Sequence, residues 1–217
     1  MALARMLHGD SNPATPGVTL AHGRRYDRFT AAFFLGRRAA TFRRLAELSG
    51  AAGAGVVDVL DVGCGTGALT AALAAAAGPG ARVVGLDASA DMIAHARVSH
   101  PGCTFTVGLA ESLEYPDASF DVVASSLLVH HLPQELRMSA LGEMHRVLRP
   151  GGRLLVADFR PPKSRLGRGL LTPVTGPGMS HNPIDELPAL FEHARLTGVA
   201  TGDLPWLRYV AGTKAVD

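Results

Sequence analysis

The stretch VVDVLDVGCGTGALTAALAAAAG, residues 56–78, decides the fold. Its first six residues form a short apolar run, which is typical of a buried β-strand. The alanine-rich segment 67–78 has the length of a helix and closes at a glycine that a proline follows. Because a strand that enters a helix through a glycine-rich turn begins a βαβ unit, we expect a parallel sheet with a ligand at this turn.

The turn itself indicates what kind of ligand it accepts. Gly63, Gly65 and Gly67 allow the backbone to bend sharply and to approach a ligand without β-carbons in the way. The start of the following helix is expected to offer unpaired amides. Asp61 adds a negative charge beside the turn, which would repel a pyrophosphate and attract an ammonium group. GCGTGA also matches the dinucleotide pattern G-x-G-x-x-G/A, a weak signal when it stands alone.

A second carboxylate follows at Asp87, the last residue of the predicted strand ARVVGLD (81–87). A carboxylate in this place can accept hydrogen bonds from both hydroxyls of a nucleoside ribose. The alternative is that Asp87 caps the next predicted helix, 89–100, for which Ser89 is the natural N-cap. The position at the end of a strand beside a glycine turn favours the ribose role.

Strand and helix signals alternate over the rest of the chain and predict a parallel sheet covered by helices on both faces. Further strands are predicted at 103–107, 120–126 and 153–159, helices at 24–49, 133–148 and 184–198, and a closing hairpin at 199–204 and 206–214. The proline- and glycine-rich segment 160–183 shows no periodicity and is predicted to be a lid over an acceptor pocket. We expect one domain over 1–217, with residues 1–50 as an N-terminal helical cap.

The composition indicates a globular protein and excludes several classes. Apolar residues make up 47% and charged residues 18% of the 217 positions, and the formal net charge is only +2. A charge balance of this kind is not typical of a nucleic-acid-binding protein. The two cysteines cannot form a disulfide framework, and no apolar run has membrane-spanning length. We therefore expect a cytoplasmic protein without membrane or nucleic-acid partners.

Four segments in order resemble the class I S-adenosylmethionine-dependent methyltransferases, and within them the branch of the ubiquinone and menaquinone C-methyltransferases and many natural-product methyltransferases. They are VLDVGCGTG (59–67), VVGLDAS (83–89), DASFDVVASSLLVHHL (117–132) and LGEMHRVLRPGGRLLVADF (141–159). The resemblance implies a three-layer Rossmann-like α/β fold whose seven-stranded sheet has the order 3-2-1-4-5-7-6, with strand 7 antiparallel. It also implies S-adenosylmethionine as the cofactor.

The resemblance implies cofactor contacts at twelve positions: Tyr26, Asp61, Gly63, Cys64, Gly65, Gly67, Asp87, Ala88, Met92, Ala110, Glu111 and Ser125. Tyr26 could instead line the acceptor pocket or be a core aromatic residue. The glycine turn and Asp61 would surround the methionine part, and Asp87 would bind the ribose. Met92 would contact the adenine, or be a core methionine of its helix. Leu109 stands where the family often has an aspartate, so the adenine edge would be read by Glu111 or by the backbone.

On the acceptor side, His130 and His131 follow the fourth predicted strand. A histidine there can remove a proton from the acceptor because its pKa lies near neutrality, although it can equally anchor the loop by hydrogen bonds. His131 matches the position that is most often histidine in the resembled group. The basic side chains of segment 160–183 could hold an acidic acceptor or simply be solvated. No metal-binding pattern stands out.

The sequence thus predicts transfer of a methyl group from S-adenosylmethionine to an oxygen, nitrogen or carbon of a small molecule. Ser125 and Ser126 stand where methyltransferases of planar nitrogens carry an Asn/Asp-Pro-Pro-aromatic motif, which argues against DNA and protein-glutamine substrates. Three alternatives stay open. They are a cofactor-binding protein of this fold that does not methylate, an NAD-dependent oxidoreductase, and an RNA or protein methyltransferase.

Overall fold

The computed structural model describes residues 23–53, 55, 58–159 and 182–216. The predicted lid therefore lies outside the described residues except for its last two positions, as does the first part of the N-terminal cap. The helices are α1 (Gly23–Phe33), α2 (Arg38–Leu48), α3 (Ala68–Ala77), α4 (Ala90–Ser99), α5 (Gln134–Val147) and α6 (Leu187–His193). The strands are β1 (Asp58–Val62), β2 (Arg82–Asp87), β3 (Thr104–Val107), β4 (Phe120–Ser126), β5 (Leu148–Phe159), β6 (Leu196–Leu204) and β7 (Leu207–Lys214).

All seven strands form one sheet in the order β3-β2-β1-β4-β5-β7-β6. Strands β1 to β5 run parallel, whereas β7 runs antiparallel to both β5 and β6. This confirms the predicted α/β fold, including the strand order and the antiparallel seventh strand. The chain order reverses between β1 and β4, and in sheets of this type ligands bind at that switch point, beyond the carboxyl ends of the strands.

The apolar strands bury both of their faces. Within β1, Val59 packs in a cluster that contains Leu45 of α2 and Leu73 of α3. The next residue, Leu60, packs on the opposite face in a cluster that contains Met144 of α5 and Phe191 of α6. Because successive side chains of a strand point to opposite faces, an unbroken apolar run is what a sheet between two helical layers requires.

Three predicted boundaries were wrong. The single helix at 24–49 is two helices, because the backbone takes positive φ angles of 48° at Leu35 and 75° at Gly36. The helix predicted to reach residue 198 ends at His193, since Arg195 has a φ of 61° and Leu196 already pairs with Lys214 in the sheet. Strand β5 begins at Leu148, ahead of the Pro-Gly-Gly segment, rather than at 153.

Gly85, in the middle of β2, permits the close approach of α3 and β3. A β-carbon at this position would lie 2.8 Å from the Phe105 ring and 2.8 Å from the Thr70 hydroxyl. We expect Gly85→Ala to lower the free energy of unfolding by about 1–3 kcal/mol because the neighbours must move. Urea unfolding measures this. Gly142→Ala is the matched control, because its β-carbon meets nothing within 4 Å in the described structure and alanine favours a helix. Equal stability of the two variants would contradict this account.

Candidate functional site

The glycine-rich turn lies between the carboxyl end of β1 and the start of α3. Its three glycines all have positive φ angles, 74° at Gly63, 52° at Gly65 and 84° at Gly67. Any other residue would be strained in these conformations. A β-carbon on Gly67 would also lie 2.7 Å from the Phe105 ring, whereas one on Gly65 would meet nothing nearer than Tyr26, at 4.0 Å. The middle of the turn is therefore the part that leaves room for a ligand.

Four amides of this turn, ahead of the first residue of α3, are hydrogen-bonded inside the protein. Gly63 and Cys64 donate to the carbonyl of Leu86 at 2.8 and 2.9 Å, and Gly67 donates to the carbonyl of Cys64 at 2.9 Å. Gly65 donates to a carboxylate oxygen of Asp87 at 2.8 Å. Dinucleotide sites bind pyrophosphate through amides at this place. With four of the amides already bonded, this arrangement disfavours a pyrophosphate ligand.

Asp87 connects the turn to the next helix. One carboxylate oxygen accepts the Gly65 amide and the other accepts the Ser89 amide at 2.8 Å. Burial raises the pKa of Asp87, and these two backbone hydrogen bonds act in the opposite direction. Ser89 is the N-cap of α4, as predicted, because its hydroxyl accepts the Met92 amide. Each oxygen of a carboxylate accepts more than one hydrogen bond, so Asp87 can bridge the backbone and still bind hydroxyl groups.

Asp61 is fully buried behind the turn. One carboxylate oxygen accepts the Thr70 hydroxyl at 2.7 Å, and the other has no partner among the described residues. Burial, with a smaller contribution from the charge on Asp87, raises the pKa of Asp61 to about 7, although the hydrogen bonds from Thr70 act in the opposite direction. The carboxyl group is therefore partly protonated near neutral pH, rather than fully charged as the sequence suggested.

A polar network that the sequence analysis missed ties α1 and α2 to the turn. One oxygen of Asp27 accepts hydrogen bonds from Arg38 at 2.7 Å and from Thr66 at 2.6 Å. Its other oxygen lies 2.9 Å from Nε2 of His95 on α4. Burial raises the pKa of Asp27, but the hydrogen bonds from Thr66, Arg38 and His95 outweigh it and lower the pKa overall. No local pattern links residues this far apart in the chain.

These elements surround a cavity of about 880 Å³, part of which is open to solvent. The predicted site residues that line it are Tyr26, Gly63, Cys64, Gly65, Asp87, Ala88, Met92, Ala110, Glu111 and His131. Asp61, Gly67, Ser125 and His130 lie outside its lining. Burial raises the pKa of Tyr26 to about 12, so its phenol stays protonated. Arg38 and Leu128 also line the cavity and were not predicted.

The two predicted acceptor-side histidines occupy different positions. His131 lines the cavity, whereas Nδ1 of His130 lies 2.8 Å from the buried carboxylate of Asp158 at the end of β5. The two imidazole rings are in contact, with centroids 4.0 Å apart. Burial raises the pKa of Asp158, but His130 and two backbone amides outweigh this and lower it. His130 therefore has the contacts of an anchoring residue and His131 has access to the cavity.

Three further sequence expectations concern metals, membranes and the basic side chains of segment 160–183. Among the residues that the structure describes, no group of side chains could hold a metal ion. No described helix is long and apolar enough to cross a membrane. The basic residues of segment 160–183, among them Arg160, Lys163, Arg165 and Arg168, lie outside the described residues.

The raised pKa of Asp61 has a consequence for stability. Between its unfolded value of 3.8 and about 7 the folded protein binds the Asp61 proton more strongly than the unfolded chain, so unfolding becomes easier as pH rises. We expect Asp61→Asn to reduce this fall in the free energy of unfolding between pH 4 and 7, because the amide does not ionise. Urea unfolding at several pH values measures the difference. Parallel pH profiles for the two proteins would refute the shift.

Proteins of similar sequence include several methyltransferases. Residues 59–152 match the family model of the methyltransferase domain. An uncharacterized methyltransferase of Synechocystis is 39% identical over 108 residues, 50% of this chain and 50% of that protein. A demethylmenaquinone methyltransferase of Chlorobaculum tepidum is 38% identical over 112 residues, 52% of this chain and 45% of that protein. The chain thus spans about half the length of the curated relatives it matches.

A solved structure supports the fold. The S-adenosylmethionine-dependent methyltransferase of Aquifex aeolicus superposes with a TM-score of 0.57 over 72% of this chain and 81% of that one, at 20% identity. The family model spans the glycine turn, Asp87 and the histidine pair, which are the features that build the cavity. Over residues 59–152 the chain is therefore similar to methyltransferase domains, and its sheet shares the fold of a solved methyltransferase.

Proposed function

We propose that this protein transfers a methyl group from S-adenosylmethionine to a small molecule. The observation that carries the proposal is a single cavity whose wall contains the glycine turn, Asp87 and His131. The glycine turn and Asp87 line the part of the cavity that would hold the cofactor. His131 lines the same cavity and could remove a proton from the acceptor. Methyl transfer needs both functions within one enclosed space, because its rate depends mainly on holding the two reactants in line.

The residues present fit the cofactor. Asp61, buried behind the turn with one unpartnered oxygen, would place negative charge near the amino end of the methionine part, which is positively charged. Gly65 leaves open space where another residue would place a β-carbon. Asp87 retains hydrogen-bonding capacity for ribose hydroxyls. When bound, the cofactor supplies a reactive sulfonium methyl group. The roles of the other lining residues, including Met92, Ala110 and Glu111 at the adenine, are part of this proposal, as is a backbone contact from Ser125.

The acceptor side is proposed to work through His131. Its imidazole would accept a proton from the acceptor, because a histidine has the pKa that a base needs near neutrality. His130, held at 2.8 Å by Asp158, contacts the ring of His131 and acts as a positioning residue. The burial of Asp158 and its bond to the Phe159 amide fix that carboxylate in place. Of the two predicted catalytic histidines, His131 is thus proposed as the base and His130 as the residue that positions it.

The names of several relatives support a choice of acceptors to test first. Several are named for demethylmenaquinone methylation or for ubiquinone and menaquinone biosynthesis, so quinone-type acceptors head the panel. Phenols, amines and acidic carbon compounds complete it. Incubation with methyl-labelled S-adenosylmethionine should transfer label to at least one acceptor. A protein that binds the cofactor and labels nothing in the panel would favour the alternative of a binding protein without methyltransferase activity. A cytoplasmic location without nucleic-acid partners remains part of the proposal.

Once an acceptor has been identified, the variant His131→Ala tests whether His131 is the base. We expect turnover to fall about 10²–10⁴-fold, because the acceptor proton loses its base. The affinity for S-adenosylhomocysteine should change little. His193→Ala is the matched control, since His193 is an exposed histidine of α6 outside the cavity. Near-normal turnover of the His131 variant at full cofactor affinity would remove His131 from the mechanism and leave positioning alone.

A further inference from the structure

The segment that follows β4, residues 126–132, forms the part of the cavity wall that contains His131. Its lining side chains are Ser126, Leu127, Leu128, His131 and Leu132. Leu127 has a φ angle of 60°, which a leucine seldom adopts because its side chain is crowded there. Among the residues that the structure describes, it is the one non-glycine residue with a positive φ that also lines the cavity. Because backbone strain concentrates at functional sites, this segment is a candidate for a specific role.

The backbone at Leu127 allows two consecutive leucines to pack in different places. Leu127 is buried in the cluster that contains Phe159, whereas Leu128 packs against the cluster on the other face of the sheet and also lines the cavity. A β-carbon on Gly63 would lie 2.9 Å from Cβ of Leu128, so the Leu128 side chain lies directly against the glycine turn. The Leu128 carbonyl accepts the amide of His131 at 2.8 Å. Leu128 therefore connects the turn that would hold the cofactor to the proposed base.

The charged side chains among the described lining residues lie elsewhere on the cavity wall. Asp87 ends β2, Glu111 follows β3, and Arg38 donates a hydrogen bond to Thr66 in the turn after β1. Strand β4 lies on the other side of β1 from β2 and β3, and segment 126–132 contains no Asp, Glu, Lys or Arg. A charged acceptor would find no oppositely charged partner on this segment, and burial of an unpaired charge is unfavourable.

We propose that Leu128 is a specificity-determining residue for the methyl acceptor and selects a molecule that is uncharged and apolar beside the atom that receives the methyl group. This inference rests on the proposed function and adds the substrate class to it. An acceptor held between His131 and the cofactor contacts the Leu128 side chain, because that side chain lies against the glycine turn three residues before His131. The apolar contact removes both surfaces from water and so favours binding.

A role in packing alone is the alternative explanation. Leu128 would then only fill the space beside Gly63, and its truncation would weaken the binding of S-adenosylhomocysteine and of acceptor-like molecules to the same degree. The charge of an acceptor would not matter. The two roles are separated by probes that share a ring system and differ in a carboxylate, measured together with the affinity for S-adenosylhomocysteine.

The experiment is calorimetric binding of matched probes to the protein saturated with S-adenosylhomocysteine. The pairs are 1-naphthol with 1-hydroxy-2-naphthoate, and indole with indole-3-acetate. We expect the wild type to bind the neutral member of each pair at least about tenfold more tightly, because the carboxylate would be desolvated without a partner. Leu128→Ala should weaken binding of the neutral probes by about tenfold through the lost apolar contact. It should keep its affinity for S-adenosylhomocysteine.

Two further variants accompany Leu128→Ala. Leu128→Met should retain the binding of the neutral probes, because the substitution conserves volume and apolar surface. Leu190→Ala is the matched control, because Leu190 is a half-buried leucine of α6 that packs against the same cluster as Leu128 but lies outside the cavity lining. It should bind every probe as the wild type does.

The possible outcomes distinguish this inference from the proposed function. Equal or tighter binding of the carboxylates by the wild type would overturn the inference and favour acidic acceptors held by the basic residues of segment 160–183. It would also be overturned by unchanged probe binding in Leu128→Ala, by an equal loss for probes and S-adenosylhomocysteine, or by a wild type that binds S-adenosylhomocysteine and no probe. A wild type that does not bind S-adenosylhomocysteine would instead contradict the proposed function itself.

Discussion

One carboxylate holds the ligand-binding end of the sheet together. Asp87 accepts the amide of Gly65 with one oxygen and that of Ser89 with the other, so it joins the glycine turn after β1 to the start of α4 after β2. Strands β1 and β2 are neighbours in register, with Asp61 opposite Gly85. The side chain that shapes the turn is therefore also the one that we propose binds the ribose. In this protein the structural and the ligand-binding explanations of Asp87 are compatible.

Two buried polar side chains near the site have atoms without hydrogen-bond partners among the described residues, and this costs stability. Asp61 is buried with one oxygen unpartnered, and Ser125 at the end of β4 has a buried hydroxyl without a partner among the described residues. Buried polar groups that lack hydrogen bonds reduce stability. Both lie at the carboxyl edge of the central strands, whereas the middle of the sheet is apolar on both faces. Such local conflicts are expected where a ligand supplies the missing partner.

The sequence predicted what depends on local signals. Positive φ at Gly63, Gly65 and Gly67, the Ser89 cap and the bounds of β4 each follow from a few adjacent residues, and the strand order followed from the resemblance. The predicted helix at 184–198 overran because pairing of Leu196 with Lys214 in the sheet overrides a helical pattern. The sequence patterns did not predict hydrogen bonds between residues that lie far apart in the chain. For example, Asp27 bonds to Thr66, which lies 39 positions away in the sequence. Asp158 did offer a signal, because a carboxylate within an apolar strand indicates a buried polar contact.

The central claim is that this cavity binds S-adenosylmethionine through Asp87 and not a dinucleotide. Calorimetric titration of S-adenosylhomocysteine and of NAD into the wild type and Asp87→Ala tests it most directly, with unfolding curves to verify that the variant is folded. The account predicts that S-adenosylhomocysteine binds, that NAD does not, and that the substitution weakens binding at least about tenfold through the loss of charge-assisted hydrogen bonds. Binding of NAD in place of S-adenosylhomocysteine, or unchanged affinity in a folded Asp87→Ala variant, would contradict it.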